Sequence, residues 1–208
     1  MADRNNPVIG TFPVTVPWES TSVVKKVILS IVGACVLIVI GLVIAIALQP
    51  DTYAVQRSIA IDAAPSVVFP HVNDLQAWGT WTPWDELDPN AKITFTTPSA
   101  GEGAVFGWSG NDQIGEGTLT ILKSVPDEHV EIEQAFVRPF AGKADMAFTF
   151  VPEGSGTRLT WKMSGTNGFV GKAMCMFMSM ETMLGGKFEQ GLSNIKKVAE
   201  SSSVKAAE

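Results

Sequence analysis

The sequence contains few side chains that are suited to acid–base or nucleophilic catalysis. Its 2 histidines, His71 and His129, lie far apart in the chain and lack the spacing of a zinc site. Carboxylates at Asp74, Glu116 and Glu131 could transfer protons by proximity, but no pattern in the sequence pairs them. A glycine-rich phosphate-binding motif is also absent. We therefore predict no catalytic residue, no metal site and no cofactor.

Sulfur-containing side chains cluster near the C-terminus, in the run MCMFMSM at residues 174–180. Cysteine and methionine are ligands that Cu(I) prefers, which raises the possibility of a soft-metal site. Alternate positions of a helix point around its axis and not to one point, so we do not predict this site. Methionine side chains are flexible and polarisable, and a wall of them suits a pocket that accepts ligands of several shapes.

Apolar and charged residues alternate along three segments near residues 128–138, 143–152 and 156–164. A period of two is typical of strands with one buried face. The residues that share the predicted inner face are Val130, Ile132, Gln134 and Phe136, then Ala144, Met146, Phe148 and Phe150, then Leu159, Trp161 and Met163. Gln134 and Arg57 have the inward parity and are candidate anchors for the polar group of a ligand.

An inner face of this kind can form a packed core or line an apolar cavity. For the cavity, we predict a lining from the strands, the tryptophan-rich loop and the last helix. Its residues are Arg57, Trp78, Trp81, Trp84, Trp108, Gln134, Phe136, Met146, Phe148, Trp161, Met176, Met180 and Leu184.

A long helix over residues 168–200 is predicted to cover this face, because apolar residues recur there every three or four positions. The stripe consists of Phe177, Met180, Leu184, Phe188, Leu192, Ile195 and Ala199. Gly185 and Gly186 predict a bend, since two glycines cost about 2 kcal/mol relative to alanine in a helix. The part from 187 to 199 would pack on the sheet, and the methionine-rich part before it would form a mobile cavity entrance.

The remaining elements are predicted from periodicity and turn residues. A first strand at 53–61 precedes a helix that begins at Pro65 and a short second helix that leads into the tryptophan loop. Six strands follow, near 91–97, 103–109, 114–124, 128–138, 143–152 and 156–164. Their short connections favour an antiparallel meander, and the long connection after the first strand allows it to pair elsewhere in the sheet.

Residues 27–48 form an apolar run of 22 residues without a charge. As a helix this run is about 33 Å long, which is enough to span a bilayer. We predict a disordered tail at 1–24, a transmembrane helix at 25–49, a folded domain at 50–200 and a disordered tail at 201–208. The alternatives are a signal peptide that is cleaved after the small residues at 45–47 and lipidation of Cys35.

The flanking charges predict the orientation of this helix. Arg4, Lys25 and Lys26 precede it, whereas the first cation after it is Arg57. By the positive-inside rule, the N-terminus lies in the cytoplasm and the folded domain lies outside the plasma (inner) membrane. A net charge of −6 and a pI near 5.0 argue against nucleic acid as a partner.

Several runs of the sequence resemble those of one known family. They are VQRSIAIDAAPSVVF at 55–69, NDL at 73–75, WTPW at 81–84, GTRLTW at 156–161 and FEQGL at 188–192. Over residues 53–200 the chain resembles the START-like SRPBCC superfamily, of the polyketide cyclase/dehydratase and lipid transport type. The resemblance implies an α+β helix-grip fold, in which a seven-stranded antiparallel sheet wraps around a long C-terminal helix with an apolar cavity between them.

This superfamily includes lipid carriers, hormone binders, polyketide cyclases and co-chaperone domains, and it has no universal catalytic residues, so the fold does not settle the function. Our first hypothesis is a membrane-tethered domain that binds a lipid or another hydrophobic small molecule. The second is a cyclase-like, dehydratase-like or hydrolase-like enzyme that uses a cavity carboxylate, His71 or Arg57. The third is an interaction module that contacts a protein or the bilayer through an exposed loop at residues 78–84.

Overall fold

The computed structural model describes residues 20–206, so most of the predicted N-terminal tail and residues 207–208 lie outside the described residues. The chain divides into two compact units, one that ends at Ala45 and one that begins at Ile46. The first unit consists of most of helix α1, Ser20–Ala47. Within α1, the 26-residue stretch Ser22–Ala47 contains an 18-residue window with a mean hydropathy of 3.2, and none of that window is buried. By length and composition, it is the one helix of the described chain that could cross a bilayer.

The second unit is built on one antiparallel sheet of seven strands in the order β1-β7-β6-β5-β4-β3-β2. The strands are β1 Thr52–Ile61, β2 Lys92–Phe95, β3 Val105–Ser109, β4 Glu116–Val125, β5 His129–Arg138, β6 Gly142–Glu153 and β7 Gly156–Thr166. Strands β2 to β7 form the predicted meander. The first strand closes the other edge by pairing with the last, with Arg57 opposite Trp161.

Helices occupy the long connection between β1 and β2 and the part of the chain after β7. They are α2 Pro65–Asn73, α3 Phe169–Cys175 and α4 Met180–Ala206, with short 3-10 turns at Leu75–Thr80 and Asp85–Leu87. Pro65 stands at the start of α2, where a missing backbone N–H costs nothing. The carboxylate of Asp74 caps the first 3-10 turn by accepting the Gln76 backbone N–H at 3.0 Å.

The core lies between the inner face of the sheet and α4. Phe188, Leu192, Ile195 and Ala199 are buried on α4, which packs mainly against β1. The inward sets that the alternation predicts on β5, β6 and β7 are buried, apart from Phe136, which is partly exposed. The helix-grip α+β fold is therefore confirmed.

The C-terminal helix divides earlier than the glycine pair predicts. It is interrupted at residues 176–179, and Gly185 and Gly186 lie inside α4. The hydroxyl of Ser179 accepts the Thr182 backbone N–H at 3.2 Å, which caps the start of α4. Phe177 falls in the interruption and is 88% exposed, so its place in the buried stripe was wrong.

The end of α4 also differs from the prediction, because the helix continues to Ala206 where we expected a disordered tail from residue 201. Three serine hydroxyls bond back to carbonyl oxygens of the preceding turn. Ser201 and Ser202 donate to Val198 at 2.8 and 2.9 Å, and Ser203 donates to Ala199 at 3.2 Å. These local hydrogen bonds satisfy polar side chains within a helix.

Candidate functional site

Most of the aromatic side chains that we predicted to line a cavity fall into two groups in the structure. The first group is an aromatic cluster at the centre of the core, consisting of Trp78, Trp81, Phe148 and Trp161, with Phe188 of α4. The ring of Trp161 stacks on Phe188 with centroids 4.0 Å apart and on Phe148 at 5.0 Å. None of the five rings is more than 7% exposed. These rings, with the buried Met146, fill this part of the interior.

The tryptophan loop is held against α2 by two indole hydrogen bonds. Trp78 donates its Nε1–H to the carbonyl of Val72 at 2.9 Å, and Trp81 donates to the carbonyl of His71 at 2.8 Å. Trp84 is partly buried and packs against the core. Two of the three tryptophans in the loop at residues 78–84 are therefore buried and not part of an exposed surface.

The indole of Trp161 is different, because its Nε1 is buried and has no hydrogen-bond partner in the described chain. A buried donor without an acceptor costs free energy, on the order of 1–3 kcal/mol. Gly191 permits the close approach of this indole to α4, since a Cβ at residue 191 would lie 3.0 Å from Trp161 Cζ3.

The second group lies toward the other end of the strands, on β2 to β5, and remains partly open. Four rings form a continuous surface there, which we call the aromatic wall: Phe95, Phe106, Trp108 and Phe136. Neighbouring ring centroids are 5.4 Å apart for Phe95 and Phe106, 6.1 Å for Phe106 and Trp108, and 6.0 Å for Trp108 and Phe136. Phe95 is 40% exposed and the other three are partly buried.

A glycine on the adjacent strand sets the position of this wall. Gly117 lies under the indole of Trp108, since a Cβ there would stand 2.5 Å from Trp108 Cη2. The Trp108 Nε1–H donates to the carbonyl of Ile114 at 3.0 Å, which fixes the ring across β4. Trp108 and Phe136 were predicted from sequence, whereas Phe95 and Phe106 were missed. Their inward parity on two short strands was the available signal.

The strand register aligns one row of residues across all seven strands of the inner face. Reading from β1 to β2, this groove row consists of Tyr53, Gly165, Ala144, Gln134, Leu119, Phe106 and Phe95. Side chains directly opposite each other in a sheet lie about 5 Å apart, so the row is continuous. Aromatic residues stand at both ends, and the two smallest residues separate Tyr53 from Gln134. The row is therefore a continuous inner-face strip whose middle residues, Ala144, Gln134 and Leu119, are buried and whose two ends are partly exposed.

Two polar groups belong to this row. Gln134 is 8% exposed, and its side-chain amide makes no hydrogen bond within residues 20–206. Tyr53 lies over Gly165, where a Cβ would approach its hydroxyl to 2.7 Å. Burial raises the pKa of Tyr53, with smaller contributions from Asp145 and Cys175, so the phenol stays protonated and can donate.

The side chain of Arg57 is paired with two glutamates and is not a free polar group of the inner face. Its Nε lies 2.6 Å from Glu189 Oε1 and its Nη2 lies 2.6 Å from Glu181 Oε1, and both glutamates belong to α4. Hydrogen bonds to Glu181 and then Glu189 raise the pKa of Arg57. The guanidinium lies against Gly185, where a Cβ would be 2.3 Å from Nη2. Arg57 therefore fastens α4 to β1.

The carboxylates considered for catalysis lie elsewhere. Asp74 caps a turn, and Glu116 lies on the outer face 2.9 Å from Arg138 Nε. Hydrogen bonds from Arg138 and then Ser109 lower the pKa of Glu116. Glu131 is exposed on the outer face. None of these three carboxylates faces the groove row.

The histidines are separated as the sequence suggested. His71 is half-buried on α2, and burial lowers its pKa below the usual 6.5. His129 Nε2 lies 3.6 Å from Glu131 Oε1 at the edge of an open surface hollow of about 500 Å³. That hollow belongs to the outer, polar face of the sheet, together with a smaller one of about 200 Å³.

The predicted residues near the start of α4 are only partly covered. Met180 and Leu184 pack against the core with partial exposure. Met176 is partly buried in the interruption before α4, whereas Met174 and Met178 are exposed. The methionine side chains therefore do not form one wall, because some are partly buried and others are exposed.

The comparisons with known proteins agree with this architecture. Residues 52–200 match the family described as polyketide cyclase / dehydrase and lipid transport. No curated protein matches significantly. Among solved structures, a Staphylococcus aureus protein of unknown function shares 13% identity at a TM-score of 0.55, over 76% of this chain and 98% of its own.

Two further structures show the same fold. A Mesorhizobium loti protein shares 16% identity at a TM-score of 0.51, over 70% of this chain and 98% of its own. A Chromobacterium violaceum protein shares 17% identity at a TM-score of 0.50, over 73% of this chain and 99% of its own. Since the family match covers most of the chain and includes every strand of the sheet, this chain belongs to the polyketide cyclase / dehydrase and lipid transport family.

Proposed function

We propose that this chain is a membrane-tethered binding domain that holds a lipid or another hydrophobic small molecule along the groove row. The observation that carries the proposal is the partly exposed aromatic wall beside Gln134, a residue 8% exposed whose amide makes no hydrogen bond among the described residues. Binding sites for small molecules are mostly apolar and contain a few polar groups that fix orientation.

The apolar part of the ligand would lie against the aromatic wall and over the small residues Ala144 and Gly165. Burial of apolar surface contributes about 25 cal/mol per Å². The rings of Phe95 and Trp108 are held by neighbouring rings before any ligand arrives, so binding orders little of the protein.

The polar part of the ligand would meet Gln134 and Tyr53. An amide offers both a donor and an acceptor, and a protonated phenol offers a donor. A ligand with a carbonyl, hydroxyl or ester group on an apolar body fits this pair. Burying such a group without a partner is costly, which gives Gln134 a role in selecting the ligand.

Helix α1 supplies the tether in this proposal. The uncharged part of α1, residues 27–47, is long enough to cross a hydrocarbon core of about 30 Å. Lys25 and Lys26 precede the most apolar part, which favours a cytoplasmic N-terminus and a binding domain outside the plasma membrane.

Native mass spectrometry of the full chain, purified gently from membranes, tests the binding function. We expect a co-purified apolar molecule in the wild type and a several-fold lower ligand-bound fraction in Gln134→Met, which preserves volume but removes the amide. Gln56→Met is the matched control, because Gln56 is an exposed glutamine on the outer face of β1. A wild type that carries no ligand, or equal occupancy in both variants, would contradict the proposal.

A further inference from the structure

Helix α3 and the four residues that follow it form an exposed apolar surface. None of the seven residues of α3 is buried. The large apolar side chains of this α3 patch are between 44% and 88% exposed: Phe169, Val170, Met174, Phe177 and Met178. The run from 168 to 180 contains no acidic residue and only one cation, Lys172. An exposed apolar surface of this kind marks a site of contact with a protein or a membrane.

The α3 patch is tied to the point where the chain leaves helix α1. Lys172 Nζ donates to the carbonyl of Ala47, the last residue of α1, at 3.2 Å and pairs with the carboxylate of Asp51. Asn167 donates its backbone N–H to the carbonyl of Asp51 at 2.7 Å and its side-chain amide to that of Pro50 at 3.2 Å. The only cation of the run is therefore engaged with residues 47–51.

We infer that the α3 patch inserts into the interface of the same bilayer that α1 spans. This inference rests on the proposed tether, because it requires Ala47 to lie at the membrane surface. Hydrogen bonds at Ala47, Pro50 and Asp51 then keep α3 at that surface. Apolar side chains with few charges partition into the region between headgroups and acyl chains.

A second copy of the chain fits the patch less well than a bilayer. Stable protein interfaces bury about 800 Å² on each partner, whereas five half-exposed side chains offer on the order of a few hundred. Aromatic and methionine side chains without a complementary charge pattern suit a fluid apolar phase. The patch also lies outside the packed core, so it is available to an external partner.

The test uses the full chain with Cys35→Ser and Cys175→Ser, reconstituted in vesicles of phosphatidylethanolamine and phosphatidylglycerol. A nitroxide is attached at Phe177→Cys, an 88% exposed position where substitution leaves the core intact, and separately at Val170→Cys. Val151→Cys is the control, because Val151 is an apolar residue, 49% exposed, that faces outward from β6. Collision of each nitroxide with oxygen and with a water-soluble nickel chelate is measured.

We expect the ratio of oxygen to nickel collisions to be several-fold higher at 177 and 170 than at 151, as it is for a label within a bilayer. Vesicle flotation distinguishes a failure of the proposed tether from a failure of the inference about the α3 patch. Protein that fails to float overturns the tether and the inference with it. Protein that floats with a water-like ratio at 177 overturns the inference alone. Spin–spin broadening at 177 that dilution with unlabelled chain removes also overturns it, since a second copy then covers the patch.

Discussion

Two buried residues of the inner face carry polar groups without a hydrogen-bond partner in the described chain, the amide of Gln134 and the indole N–H of Trp161, and of these the indole nitrogen is fully shielded from solvent. They differ in their surroundings. Trp161 is stacked between Phe148 and Phe188, so its N–H lies within a filled core. Gln134 stands in the groove row beside Ala144, where a ligand can satisfy it. Under the proposed function, Gln134 therefore recognises the ligand, whereas Trp161 packs in the core.

His71 provides a prediction about pH at the same scale. Burial lowers the pKa of His71, so the unfolded chain binds this proton at a higher pH than the folded chain does. The contribution of neutral His71 to the free energy of unfolding is fully present above about pH 6.5, and it is lost as the pH falls through the pKa of His71 in the folded chain. We therefore expect His71→Gln to lose less free energy of unfolding than the wild type between about pH 7 and pH 5.

Urea denaturation of both proteins at several pH values measures this difference. His129→Gln is the control, because His129 lies on the outer face at the end of β5. If the wild type and His71→Gln show parallel pH dependence, the half-buried imidazole is not the source of the effect.

At the scale of elements, the contact between β1 and α4 depends on a residue without a side chain. Gly185 leaves space for the guanidinium of Arg57, which bonds to Glu181 and Glu189 on either side of that glycine. The adjacent Gly186 is exposed, and a Cβ there would meet nothing within 4 Å. Two neighbouring glycines of one helix therefore have different roles.

Alanine substitutions distinguish these roles. Gly186→Ala should raise the free energy of unfolding by about 1 kcal/mol, the ordinary gain for glycine to alanine in a helix. Gly185→Ala should raise the free energy of unfolding by less than this, because the added methyl group displaces Arg57 from Glu181 and Glu189. In an Arg57→Gln background, the gain at 185 should return. Equal stabilisation by both alanines in the wild type, measured by urea denaturation, would refute the role of Gly185.

The elements could be predicted from sequence because their signals are local. Period-two alternation and turn residues placed all seven strands, with boundaries that differ by a few residues. The break before α4 was misplaced because glycine content alone does not report Ser179, which caps the helix, or Arg57, which occupies the space at Gly185. Both effects depend on geometry, and that of Arg57 comes from a residue far away in sequence.

The candidate site was harder to predict than the fold. Strand parity identified the inward residues, but it does not distinguish a ring that packs in the core from one that borders an opening. Trp161 and Trp108 have the same parity signal, yet the first is stacked and the second is partly exposed. The groove row was not predictable because it requires the register of all seven strands at once.

At the scale of the whole molecule, the proposed topology makes a further prediction. If the N-terminus is cytoplasmic, protease added to spheroplasts should degrade residues 50–208 and leave an N-terminal tag protected. Lys25→Glu with Lys26→Glu should weaken this orientation, because both cations precede the most apolar part of α1.

Lys196→Glu with Lys197→Glu is the control, since it changes the same charges on α4. A domain that resists protease in spheroplasts but not after lysis would reverse the proposed orientation. Complete release of the domain into the soluble fraction would instead favour cleavage after residues 45–47.

The pairing of β1 with β7 has a consequence for synthesis. β1 is the first strand to leave the ribosome, yet its partner strand ends at Thr166 and the helix that covers it begins only at Met180. At a synthesis rate of about 5–20 residues per second, β7 and α4 are made on the order of ten seconds after β1. During that interval α1 has already emerged and can engage the membrane insertion machinery. Under the proposed tether, the order of elements along the chain therefore lets membrane targeting precede folding of the sheet.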